Sequence, residues 1–169
     1  GMIFDETYRP FFETASHRPL FDPAFGVCHV PLAAVASRTG RRAEAYRDQA
    51  ARGTAPESFA GDHAVAQLLK SDVQVVCIAT PDDRHFAAAK AALLARKHVL
   101  IEKPSVLRLA ELDELDQLAR ENGVLAKVVY HKLLDPDHKK LRTFVADGVL
   151  QHVNNGYCSL LEPKSIAGS

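Results

Sequence analysis

Residues 73–104 read VQVVCIATPDDRHFAAAKAALLARKHVLIEKP, and their order decides the fold. Residues 73–80 are β-branched and small apolar side chains with little polar interruption. A strand covered on both faces reads this way, as in a parallel sheet. Pro81 ends the ladder, because it has no N–H to donate. Asp82 and Asp83 can cap a helix and suit its positive amino end. Ala87, Ala88, Ala91, Leu94 and Ala95 then recur at helical spacing and give that helix an apolar stripe. After Lys97, residues 98–101 form a second strand of the buried type. The crossover length suits a parallel pair. One strand ends at Thr80, with Asp82 and Asp83 beyond it, and the other ends at Glu102 and Lys103. Both ends fall on the carboxyl edge of the sheet, where open α/β sheets bind ligands.

Thr80-Pro81-x-x-x-His85, followed by His98-Val99-Leu100-Ile101-Glu102-Lys103-Pro104, resembles the glucose-fructose oxidoreductase/inositol dehydrogenase (Gfo/Idh/MocA) family. A lone Glu-Lys-Pro would carry little weight; the strand before it and the Thr-Pro turn make it specific. The resemblance runs over residues 30–156 and fails at the start. It implies a nicotinamide-dependent oxidoreductase acting on sugars or cyclitols. It also implies an α/β fold: a Rossmann-type doubly wound parallel sheet, then the start of an α+β domain with an antiparallel sheet. The domains expected are residues 1–131 and 132–169.

The resemblance places Lys103 near the nicotinamide and the reacting carbinol, where its ammonium can hydrogen-bond the oxygen or move a proton. On residue type alone it is an ordinary lysine at a strand end. Glu102 is similar to the residue that holds the nicotinamide ribose; the plainer alternative is an ion pair with Lys103. Thr80, Pro81 and Asp82 look like the turn that passes under the dinucleotide, although Asp82 stands where asparagine is commoner. His85 is expected to orient that turn by hydrogen bonding rather than to catalyse. His131 falls where the family commonly has an asparagine; it is either a cofactor or substrate contact or a rim histidine. The family's general acid/base, a histidine on a second-domain helix, would lie beyond Ser169.

Residues 30–37 read as a strand and 43–52 as a helix. An acidic residue at that strand's end would select NAD. Here Ser37 and Arg38 offer a hydroxyl and a guanidinium, which suit a 2′-phosphate, so NADP is favoured over NAD. Arg41 and Arg42 read as a solvated helix start, and Arg38 admits both readings. Residues 8–16 suggest a short helix and 17–27 a loop broken by Pro19 and Pro23. No G-x-G-x-x-G occurs; Asp5-Glu6-Thr7 stands in its place, and two acids would repel a pyrophosphate. Either the first strand and its turn precede the sequence given, or a dinucleotide is gripped otherwise.

Residues 57–60 read as a short strand, and Asp62 as the cap of a helix over 63–70 with Val65, Leu68 and Leu69 inward. Ser105 is expected to cap an amphipathic helix over 109–121 with Leu112, Leu115 and Leu118 on one side; Asn122-Gly123 ends it. Residues 124–131 predict a further strand. Asp135 caps a helix over 137–146, which Gly148 stops. Residues 151–161 predict an exposed strand with an open edge, a route to a homo-oligomer.

The chain has 169 residues, 47% hydrophobic and 25% charged, as in ordinary globular proteins. Lys+Arg and Asp+Glu number 21 each, so nothing points to nucleic acid or an anionic membrane. Cys28, Cys77 and Cys158 have no zinc spacing and fit a reducing compartment, so the expected location is cytoplasmic. Cys77, in mid-strand, is expected to be buried. The implied partner is a small polyol or sugar. A reading of another class remains open: a non-catalytic nucleotide-fold subunit.

Overall fold

The computed structural model describes residues 3–49, 55–157 and 159. A π-helical turn (Phe4–Tyr8) runs into α1 (Arg9–His17), followed by β1 (Leu20–Asp22) and β2 (Gly26–Cys28). Next come β3 (Ala34–Ser37), α2 (Arg41–Gln49), β4 (Glu57–Ala60), α3 (Ala64–Lys70) and β5 (Val75–Ile78). A 3-10 turn (Asp82–Arg84) precedes α4 (His85–Leu94), β6 (His98–Ile101), α5 (Leu109–Asn122) and β7 (Ala126–Val128). A second 3-10 turn (His131–Leu134) and α6 (Pro136–Ala146) complete the described elements. The chain divides into two compact units, Gly1–Val129 and Tyr130–Ser169. Among the described residues no helix is long and apolar enough to cross a membrane.

In the first unit, β5 and β6 pair in parallel, Val75 opposite His98 and Ile78 opposite Ile101. β7 adds to β6, also in parallel, so the order is β5-β6-β7. β3 and β4 form a separate parallel pair, Ala34 opposite Glu57 and Ser37 opposite Ala60. In a doubly wound sheet of order 3-2-1-4-5-6 the first strand lies between these two sets. Among the described residues, β3 and β5 each pair on one side. Val75 is 56% exposed and Cys77 is also exposed, so this face of β5 is open, against the expectation of a strand covered on both sides.

The core lies where α4 covers β5 and β6 with α5 against it. Ile78, Ala89, Ala92, Leu93, Val99, Ile101, Leu115 and Ala119 are all buried there. Small alanines let the helix come close to the sheet, while Leu93 fills the remaining space. The stripe is not the one expected: Leu94 is 56% exposed and Ala89 is wholly buried. An alanine-rich helix is apolar on every side, so periodicity alone does not choose its inner face. Val65 and Leu112, each 42% exposed, are likewise less inward than their spacing suggests.

Other corrections are local. Neither Asp82 nor Asp62 caps a helix; α4 and α3 start without a side-chain cap. The expected loop over 17–27 contains the antiparallel hairpin of β1 and β2. Its turn is built by Asp22, whose side chain accepts from Ala24 N at 2.7 Å, and by Gly26 at φ 78°. Strands are shorter than the apolar runs, because only paired residues belong to a ladder; β7 stops at Val128. α2 starts at Arg41, two residues earlier than expected, and 50–52 lie outside the described residues. Ser105 is buried and caps nothing; instead Arg108 and Glu111 pair at the start of α5. α5 ends as predicted, with Gly123 left-handed at φ 66°.

In the second unit, α6 is capped by Asp135, whose carboxylate accepts from Asp137 N at 3.0 Å and His138 N at 3.4 Å. Pro136 takes the first helical position, and Gly148 follows at φ 72°. Residues 151–157 form no strand; 158, 160 and 161 lie outside the described residues. The open strand edge expected to join copies of the chain is therefore not formed by 151–157.

Candidate active site

Two chain segments leave the carboxyl ends of neighbouring parallel strands. After β5 the chain runs through Ala79, Thr80 and Pro81 into the 3-10 turn, closed by Arg84 N donating to Pro81 O at 2.9 Å. After β6, Glu102 N donates to Ile78 O at 3.0 Å, so the ladder continues one residue beyond the strand. Lys103 and Pro104 follow. The register Ile78↔Ile101 puts both exits on one edge.

His85 ties these exits together. It opens α4, is 1% exposed, and its ring spans the two segments. Nδ1 lies 2.6 Å from Pro104 O, and Nε2 lies 2.8 Å from Thr80 O. Both partners are backbone carbonyl oxygens, so a ring N–H donates to the segment it faces. The sequence reading expected His85 to orient this turn by hydrogen bonding, and its ring contacts are with the backbone of the two segments.

Glu102 is 7% exposed, an unusual site for a carboxylate. The Tyr8 hydroxyl donates to its Oε1 at 3.0 Å. Tyr8 is itself 7% exposed, and burial together with the Glu102 carboxylate pushes its phenol well above the ordinary range. Cys77 keeps accessible surface on one side, but its other surroundings desolvate the thiol and push it up to about 11, with Glu102 adding to the effect. Tyr8, Cys77 and Glu102 therefore form one electrostatic cluster at the end of β6. Sequence reading placed Tyr8 only in a helix; a contact across 94 positions leaves no trace in local spacing.

Lys103 is exposed, and the ion pair with Glu102 considered from the sequence is not formed. Its ammonium is open to a ligand beside a buried acid. Thr80, Pro81 and Asp82 are also exposed along the same edge.

Ser37 and Arg38 close the carboxyl end of β3. Ser37 Oγ accepts from Gly40 N at 3.1 Å, and Arg38 O accepts from Gly61 N at 3.1 Å. Gly40 sits at φ 73°, and a Cβ there would approach Ala60 Cβ to 3.2 Å. The turn into α2 thus needs glycine at this point. The Arg38 side chain is exposed and makes no ion pair among the described residues. His131 begins the 3-10 turn of the second unit and is exposed, rather than ending a strand as expected.

These residues fit parts of a nicotinamide dinucleotide. A buried carboxylate suits ribose hydroxyls, a free ammonium suits a reacting oxygen, and a free guanidinium suits a phosphate. The glycine-rich turn that ordinarily cradles the pyrophosphate is not among the described residues.

The sequence model of the Gfo/Idh/MocA group, described as an oxidoreductase family with an NAD-binding Rossmann fold, matches residues 1–130. An uncharacterized oxidoreductase of Escherichia coli (strain K12) is 40% identical over 82 residues, 48% of this chain and 24% of the relative. A scyllo-inositol 2-dehydrogenase (NADP(+)) of Bacillus subtilis (strain 168) is 30% identical over 82 residues, 48% of this chain and 23% of the relative. A solved 3-ketoreductase from Actinomadura kijaniata, in complex with NADP and TDP-benzene, superposes with a TM-score of 0.69 at 27% identity. That match covers 88% of this chain and 40% of the reductase. The matches span 24% and 23% of the two curated relatives' length.

Proposed function

The chain belongs to this oxidoreductase family with an NAD-binding Rossmann fold, and on that premise we propose that it serves a dehydrogenase acting on a sugar, cyclitol or related polyol. The observation that carries the reading is the His85 tie, which sets the Thr80 turn beside Glu102 and Lys103 on one edge of the sheet. The cofactor, when bound, supplies the hydride chemistry between its nicotinamide ring and a carbinol carbon. Glu102 accepts hydrogen bonds from the nicotinamide ribose and fixes the ring's position. Lys103 donates to the substrate oxygen, opposes the charge that grows there, and holds the proton exchanged at that atom. Thr80, Pro81 and Asp82 form the floor under the dinucleotide, and His85 keeps that floor in place.

Arg38 and Ser37 favour NADP over NAD. Among the described residues the Arg38 guanidinium at this strand end has no ion-pair partner, and Ser37 Oγ is engaged only as an acceptor, which leaves its hydroxyl proton to donate. The inositol relative is named for NADP(+), and the reductase neighbour holds NADP, which supports the same choice.

The test is Lys103→Ala in the purified protein, assayed with NADPH against a panel of sugars and cyclitols. Turnover should fall at least about a hundredfold, the scale of one positioned proton-transfer group, with NADPH binding retained. Turnover unchanged by Lys103→Ala would remove the role given to this residue.

A further inference from the structure

We propose that Tyr8 is a positioning residue for Glu102, its phenol holding the carboxylate in the one direction that presents the free oxygen to the nicotinamide ribose. This rests on the reading of Glu102 given above. Three observations carry it. The Tyr8 hydroxyl donates to Glu102 Oε1 at 3.0 Å, and both side chains are 7% exposed. Glu102 N is bonded to Ile78 O, so the sheet fixes the residue's backbone while Tyr8 fixes its side chain. The third is the helix itself. Phe4–Tyr8 has π geometry between residues of ordinary helical dihedrals, Ile3 at φ −58° and Arg9 at φ −58°. A π turn has poorer hydrogen bonding than an α turn, persists mostly where it re-aims a side chain, and is found often at functional sites. Here the element ends on Tyr8.

The chemistry of the donor matters. A phenol hydroxyl is neutral, so it orients the carboxylate without cancelling its charge. Lys103, the nearest cation in sequence, leaves Glu102 alone and stays open. One oxygen of Glu102 is thereby held by the protein, and the other is left to accept from a vicinal diol. The edge contact of Phe4 with Tyr46 of α2, at 6.0 Å between centroids, anchors the same turn from its other end.

The test is a double-mutant cycle on cofactor dissociation constants with Tyr8→Phe, Glu102→Ala and the pair, alongside melting temperatures. Tyr8→Phe should weaken NADPH binding about tenfold, the value of one hydrogen bond to a charged group. In the Glu102→Ala background it should cause no further loss. Equal weakening by Tyr8→Phe in both backgrounds would make Tyr8 a packing residue and overturn the proposal. Glu102→Ala weakening binding while Tyr8→Phe does not would overturn it and leave the ribose reading standing. Full binding by Glu102→Ala would overturn both. A readout independent of binding is the tyrosinate absorbance of the cofactor-free protein. Tyr8 and, through its own burial, Tyr46 should resist ionisation, and Glu102→Gln should ease that of Tyr8 while leaving the other tyrosines unchanged. An unaltered titration curve in Glu102→Gln would also overturn the proposal.

Discussion

A carboxylate buried at a strand end costs free energy unless something holds it, and Glu102 is held by a single phenol. Burial, and after it the same acid, make its neighbours reluctant to ionise, which fixes a pH dependence. The Cys77 thiol rises from 9.0 to about 11 and the Tyr8 phenol rises from 10.0. A folded-state value raised above the unfolded one gives stability that is full below the unfolded value and lost as pH climbs. Urea midpoints should therefore be flat to about pH 8.5 and fall steadily from pH 9 to 11, and Cys77→Ala should shallow that slope. A flat profile to pH 11 would contradict the cluster. Arg38 invites a second experiment: Arg38→Ala should weaken NADPH about tenfold and leave NADH unchanged, since a guanidinium facing a 2′-phosphate has nothing to meet in NADH. Equal loss for both would assign Arg38 elsewhere. That Thr80, Glu102 and Lys103 follow neighbouring strands was legible in the sequence, because the apolar runs before them end there. Tyr8 was not, since its partner lies 94 positions away.

The helix between the two strand tips decides whether they stay aligned. Leu93 is wholly buried where α4 meets the sheet, and Leu94 is 56% exposed. Leu93→Ala should cost about 2–5 kcal/mol by leaving a cavity, and Leu94→Ala should stay within about 0.5 kcal/mol. Chemical denaturation of the two variants checks which face is inward. The reverse result would place α4 wrongly on the sheet. At the other end of α4, Arg96 adopts φ 55° with Lys97 N donating to Ala92 O at 3.0 Å, the closing geometry that glycine takes most easily. Arg96→Gly should therefore stabilise the protein by about 0.5–1 kcal/mol, measured as a raised urea midpoint. Here the sequence was informative about elements and silent about faces. β6 and β4 matched the predicted residues, and Gly123 ended α5 as expected. The alanines of α4 gave no preferred side. The β1–β2 hairpin was masked by Pro19 and Pro23, because its signal is the Asp22 and Gly26 turn rather than an alternating run.

The two units of the chain rest on different physics. The first has a buried cluster under α4 and α5. Among the described residues of the second, none is buried, so α6 depends on local terms such as the Asp135 cap. From β3 to β7 the order of strands and helices was legible, because alternating elements imply a doubly wound sheet. The division of that sheet into β4-β3 and β5-β6-β7 was not, because pairing between distant strands is set by what lies between them. The function proposed rests on one place in the first unit, the carboxyl edge where the His85-tied segments emerge. The chain has no tryptophan, so nicotinamide emission can be followed without protein energy transfer from indole. Titrating the purified protein into NADPH and into NADH, and reading that emission, tests this edge directly. The account predicts saturable enhancement for both, with NADPH the tighter, abolished when Glu102→Ala and Arg38→Ala are combined. No enhancement with either nucleotide at millimolar protein would contradict it.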